Sequence, residues 1–231
     1  MTGDNNVFIS SNGKAAQFQG GILGQYEYDV YMEAFVQKNT EKNNNEKFWP
    51  SYMYQNKKNQ WLVGPNIGSP GGWLVNPKKS KKVPTEGWRV AVGRKYEKDP
   101  ALKVTHGSLT LSMQYEVKAT GDAADECPSC SGVFNKTERW WNGRPVYENT
   151  NRHYLYHGSS GDGWVIGEKI GQRGFLKGYQ SYQSPVDQSR WDYWNGSMYK
   201  LASVVVSSIS ARVRRQSEFS SSHPGIEGIP F

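Results

Sequence analysis

The chain has 231 residues, 13% of them aromatic, with 25 glycines, two cysteines and a net charge of +7. Two cysteines are too few for a disulfide scaffold, so folding must rest on buried aromatic and aliphatic area. No run of about 18 apolar residues encodes a membrane-spanning helix, and plentiful glycine with scarce Leu, Ala and Glu favours short strands joined by turns over helices.

The start, "MTGDNNVFISSNGKAAQF", lacks the basic flank and apolar run of a signal peptide, so the expectation is a cytosolic chain or one that begins after processing. Residues 1–17 read as an N-terminal arm or strand. A first β-module is expected over 18–118, opening on "GQYEY" (Gly24–Tyr28). The basic surplus falls in "QNKKNQ" (Gln55–Gln60) and "NPKKSKK" (Asn76–Lys82). Lys78, Lys79, Lys81 and Lys82 are therefore a candidate basic patch, able to attract nucleic acid, anionic lipid or an acidic protein, or else a solvated loop.

The central signal is a repeat. "WLVGPNIGSPGGWL" (Trp61–Leu74) aligns with "WVIGEKIGQRGFLK" (Trp164–Lys177) at a shift of 103 residues. Trp61 meets Trp164, Gly64 meets Gly167, Ile67 meets Ile170, Gly68 meets Gly171 and Gly71 meets Gly174. Without a gap, Trp88 then meets Trp191 and Tyr96 meets Tyr199. The flanks extend the match: "GQYEY" with "GVFNK" (Gly132–Lys136), "FWPSYMYQNKKNQW" with "GRPVYENTNRHYLYHGSSGDGW", and "GSLTLSMQ" (Gly107–Gln114) with "ASVVVSSIS" (Ala202–Ser210) as alternating strands. The small, acidic "KATGDAADE" (Lys118–Glu126) reads as a linker over 119–126, before a second module at 127–211.

"CPSC" (Cys127–Cys130) opens that module. A C-x-x-C pair suits a redox site, half a zinc site or a local crosslink. With no second pair nearby and no βαβ setting, a structural loop or crosslink is expected, and no metal or cofactor. His153 and His157 bracket "YLY" and do not by themselves make a ligand pair. No nucleophile elbow, zinc-protease or phosphate-loop motif occurs.

Aromatics crowd Asn142–Gly171 and its flanks. Of the adjacent pair Trp140–Trp141, one ring should face in and the other out. Trp140, Trp141, Arg144, Tyr147, Tyr154 and Tyr156 are accordingly the candidate ligand-binding residues, since exposed rings stack on sugars or anchor proteins. The lysines sit in the first copy and the densest aromatics in the second, which argues against single-stranded nucleic acid as partner. Two sequons, Asn135–Thr137 and Asn195–Ser197, matter only in a secreted chain. Residues 212–231 read as an extended tail that offers a route to oligomers.

The pattern G-x-[YF], N-G-R-P-V-Y, Y-L-Y, W-x-I-G and a final W resembles a small repeated module of multi-domain proteins from marine invertebrates and protists. The second copy carries it at Gly132, Asn142–Tyr147, Tyr154–Tyr156, Trp164–Gly167 and Trp191, while the first has "FWPSYMY" where N-G-R-P-V-Y is expected. The resemblance implies tandem β-modules and no particular chemistry. The expectation is thus an all-β protein of two tandem small β-barrels or β-sandwiches related by duplication. Its expected role is non-catalytic recognition of a glycan or protein surface through exposed aromatics. The alternatives are a structural subunit anchored by basic loops and terminal arms, and an enzyme with a pocket between the modules.

Overall fold

The computed structural model describes residues 5–39, 50–158, 162–179 and 183–209. The expected tail at 212–231 and part of the "HGSSGDG" turn lie outside the described residues.

The first body contains β1 (Asn6–Ser10), α1 (Lys14–Gln19), β2 (Gly24–Asp29), β3 (Ala34–Gln37), β4 (Tyr52–Gln55), β5 (Gln60–Gly64), β6 (Leu74–Lys79), β7 (Arg89–Val92), β8 (Lys95–Lys98) and β9 (Lys103–His106). These strands form one antiparallel sheet in the order β8-β7-β6-β5-β4-β3-β2-β1-β9. The second contains β10 (Gln114–Thr120), α2 (Asp122–Glu126), β11 (Gly132–Trp141), β12 (Arg144–Glu148), β13 (Tyr154–His157), β14 (Trp164–Gly167), β15 (Leu176–Gly178), β16 (Trp191–Trp194) and β17 (Tyr199–Ser208). Here β17 pairs with β10 and closes an eight-stranded barrel.

Backbone detail establishes the duplication. Gly24 and Gly132, which open β2 and β11, have φ of 130° and 126°; Gly68 and Gly171 have 81° and 76°. Tyr96 Oη donates to Gly72 O at 2.7 Å, and Tyr199 Oη donates to Gly174 O at the same distance. Trp73 O accepts from Ala91 N, and Phe175 O from Trp194 N, both at 2.8 Å. Gly72, not Gly71, is therefore the counterpart of Gly174. A Cβ on Gly72 would meet Val63 O at 2.4 Å, and one on Gly174 would meet Ile166 O at 2.5 Å. The glycine is needed in both copies because the neighbouring strand passes too close for a side chain.

Other parts of the alignment need correcting. "YMY" pairs with β5 as "YLY" pairs with β14, so the two are counterparts, and β3 answers to β12. Seven positions separate Tyr28 from its partner Phe35, but eleven separate Lys136 from Tyr147. The second copy thus has a longer hairpin, and "NGR" belongs to that extension rather than to an element eroded in the first copy. Residues Gly107–Met113 form no strand; β9 occupies the place of the second half of β17. β8 and β9 answer to one continuous strand, interrupted at Asp99–Pro100. Pro100 has no N–H for a ladder, and the buried Asp99 carboxylate instead accepts from Ser11 Oγ and Ala15 N, each at 2.8 Å, tying α1 to the break.

The expected boundaries also move. β1 is paired on both sides, with β2 and β9, so the first body begins before residue 18. The supposed linker is built into the second barrel: Lys118–Thr120 complete β10, and α2 buries Ala123 in the core. A five-residue helix is too short to show a periodic apolar pattern.

The first body is a half-barrel whose terminal strands β8 and β9 are not paired with each other, the second is a closed barrel, and each has an aromatic core. Val7, Tyr26, Trp61, Trp88 and Val90 fill the first, and Tyr115, Tyr147, Trp164, Trp191 and Tyr193 the second. Burying side chains of this size contributes roughly 2–3 kcal/mol each. Gly72→Ala and Gly174→Ala should each destabilise by about 1–3 kcal/mol, read as lowered urea midpoints; a tolerated substitution in either copy would contradict the shared contact. Burial also raises the phenol pKa of Tyr26, Tyr147 and Tyr156. The fold therefore favours the neutral phenols, whose contribution is complete below the unfolded pKa of about 10 and is lost as pH rises above it, by roughly 1.4 kcal/mol per pH unit for each. Denaturant titrations across this range should show that steepening loss, and Tyr147→Phe should make it shallower.

Candidate functional site

The "WWNGR" hairpin joins the closed barrel to the first body. Asn142 and Gly143 have φ of 49° and 65°, as a two-residue type I′ turn between Trp141 and Arg144 requires. The tip rests on the first body, where Gly143 O accepts from Gln25 N at 2.7 Å. A Cβ on Gly143 would lie 2.6 Å from Gln25 N, and one on Gly24 would lie 2.4 Å from Asn142 O. Asn142 Nδ2 donates back to Gly158 O at 3.1 Å, holding the tip to its own barrel.

This docking determines where the expected ligand-binding residues lie. Arg144 is fully buried, with its guanidinium 5.4 Å from the centre of the Phe8 ring of β1, and none of its three side-chain nitrogens has a hydrogen-bond partner among the described residues. Desolvation pushes its pKa down to about 9. His157 is also buried, and burial first and the Arg144 charge second hold its pKa well below the ordinary imidazole value. Tyr147 faces the barrel interior against Tyr115, with ring centres 4.9 Å apart, and donates to Ser112 O at 3.0 Å. Trp141, Tyr156, Val146 and Val165 form a buried cluster on the outer wall. There the Trp141 ring lies where a Cβ on Gly171 would be, 2.6 Å away.

Four of the six expected ligand-binding residues are therefore buried: Trp141, Arg144, Tyr147 and Tyr156. The outward ring of the tryptophan pair is Trp140, half-buried, with Lys38 Nζ 4.4 Å and Lys136 Nζ 5.9 Å from its centre. Tyr154 is half-buried with the Arg139 guanidinium 4.7 Å from its ring centre. Both rings are already engaged by the protein's own cations.

The lysines present a different surface. Lys57 and Lys58 in the β4–β5 turn and Lys78, Lys79, Lys81 and Lys82 at the end of β6 are all exposed, and none forms an ion pair among the described residues. Backbone and side-chain bonds bring the two segments together. Ser80 O accepts from Trp61 Nε1 at 3.0 Å and also from Gln55, and Ser80 N donates to Asn59 O at 3.4 Å. His106 Nε2 lies 3.1 Å from Val83 O, tying the following loop to β9. In this meander the β2–β3, β4–β5 and β6–β7 connections lie at one end of the sheet. The β2–β3 tip adds Val30, Tyr31 and Met32 to that end, with Tyr31 96% exposed. Asp29 Oδ1 accepts from Tyr31 N at 2.9 Å and Met32 N at 3.1 Å, shaping the tip. The sequence shows the two lysine segments separately, and the up-and-down strand order supplies their convergence.

An open groove of about 450 Å³ lies between the bodies, lined by Ser10, Ser11, Asn12, Lys103, Gln183 and Asp187 among others. Its lining includes no histidine or cysteine. Cys127 and Cys130 are joined in a disulfide. No described helix is long and apolar enough to cross a membrane.

Arg144→Met should leave stability unchanged or raise it by about 1–4 kcal/mol, because it removes an uncompensated buried charge at similar volume. Thermal unfolding checks this; a marked loss would show that the guanidinium is matched by a partner charge. No protein-family model, no curated protein and no solved structure matches the chain, so the chemistry of these surfaces is the ground for its function.

Proposed function

We propose that the protein is a non-catalytic binding module that engages an acidic polysaccharide through the lysine rim of its first body. The observation that carries this reading is the convergence, from two separate segments, of six exposed lysines that form no ion pair among the described residues. Ammonium groups held close together without counter-charges raise the local concentration of a polyanion. Tyr31, on the same end of the sheet, supplies a ring face for the sugar backbone. The Cys127–Cys130 disulfide suits an oxidising compartment, where sulfated and uronic polysaccharides occur.

A second reading draws on the apolar tip. Val30 and Met32 flank Tyr31 in the open, and exposed apolar residues beside lysines also suit the surface of an anionic bilayer.

One experiment separates the two. Binding of the chain to a sulfated polysaccharide and to phosphatidylserine vesicles is measured across a salt series. Polysaccharide binding should weaken steeply with salt and fall at least about tenfold when Lys78, Lys79, Lys81 and Lys82 are changed to Glu. Tyr31→Ala should weaken it too. Polysaccharide binding unaffected by the lysine changes would remove the first reading, and selective binding to vesicles would establish the second.

A further inference from the structure

We propose that, once the Cys127–Cys130 disulfide is reduced, the two thiolates and His153 form a binding site for a soft divalent cation of the zinc class. Both Sγ atoms and a ring nitrogen of His153 lie within 4.8 Å of one another, and all three residues are buried. That spacing lets the three groups converge on one ion at ordinary zinc–sulfur and zinc–nitrogen distances after a small opening of the sulfur pair.

The histidine is already oriented as a ligand. Its Nδ1 lies 3.2 Å from Asn151 O, which can only accept, so the proton resides on Nδ1. The Nε2 lone pair is then free to accept, and it faces Ser129 Oγ at 3.4 Å, which in turn lies 3.7 Å from Cys127 Sγ. A backbone carbonyl that fixes the tautomer and ring orientation is the usual support for a metal-binding imidazole. The partly exposed Ser129 and exposed Pro128 mark the route in from solvent, and the fourth coordination position falls to water or to the Ser129 hydroxyl.

The first copy shows that the fold does not need this group. Gly24 corresponds to Gly132, and counting back places Gln19 and Ile22 at the positions of Cys127 and Cys130. Ser51 O accepts from Gln37 N as His153 O accepts from Asn149 N, so Ser51 occupies the place of His153. All three donors are thus present in the second barrel, and all three are missing from a first copy that folds around the same short helix.

The chemistry balances. A dithiol reductant supplies two electrons and two protons, leaving as its own disulfide, and yields two protein thiols. The cation then displaces both thiol protons to solvent as it binds the thiolates.

The test uses the full chain, reduced and freed of metal, and titrated with cobalt(II). The expected result is one cobalt per chain, with a thiolate-to-cobalt charge-transfer band, tetrahedral d–d bands and displacement by zinc. His153→Ser, which copies the first body, should weaken cobalt binding by more than about tenfold while the circular dichroism of the oxidised protein stays unchanged. His153→Gln, which keeps more of the volume, should do the same. Absence of the bands at stoichiometric cobalt, affinity unchanged by both His153 variants, or unfolding of the chain on reduction would each overturn the proposal.

Discussion

Where segments of two different sheets meet backbone to backbone outside a shared ladder, a side chain directed into the contact has no room. Gly24 and Gly143 meet in this way, with Gly143 O accepting from Gln25 N at 2.7 Å. Everything peculiar to the "WWNGR" hairpin follows from that contact. The hairpin must be longer than its counterpart to reach the first body, its turn must take positive φ, and Arg144, next to the tip, enters the joint beneath the Phe8 ring. The segment richest in aromatic and glycine residues therefore serves chiefly as a joint and an outer wall.

Duplication supplied two scaffolds whose supporting contacts are the same and whose additions differ. The tyrosine-to-glycine hydrogen bond, the left-handed glycine and the strand-against-glycine contact recur in both copies. Away from them the copies diverge. The first breaks its last strand at Pro100, tethers the break with Asp99 and gathers lysines at one rim. The second extends one hairpin and places two cysteines and a histidine around its short helix. Surface chemistry has changed where the fold tolerates it, and the shared contacts have not.

Legibility in the sequence followed the same division. The shift of 103 residues exposed Trp61 with Trp164, Trp88 with Trp191 and Tyr96 with Tyr199, because strands held by glycines and indoles tolerate few replacements. Loops of unequal length obscure the rest, so an ungapped alignment sets "YMY" one strand too early and pairs Gly71 rather than Gly72 with Gly174. α2 leaves no trace because a five-residue element is too short for a period to show, and β1, legible as an arm or strand, gives no sign in the sequence that it pairs within the first body. As for the site, the lysines were visible as two clusters, but the ring residues chosen for exposure turned out mostly to be core and joint. An aromatic-rich strand has the same composition whether its ring faces the lumen, the outer wall or the solvent.

The sequence alone determined that the chain is all-β, that it is built twice, and which indoles and most of the glycines hold each copy, because those are local demands of backbone conformation and side-chain size. Which lysines share a rim, which aromatics stay in the open, and that His153 lies beside Cys127 and Cys130 were decided only by the tertiary structure. Those neighbours are set by strand order, hairpin length and the docking of one body on the other, and such long-range pairings leave no period in the chain.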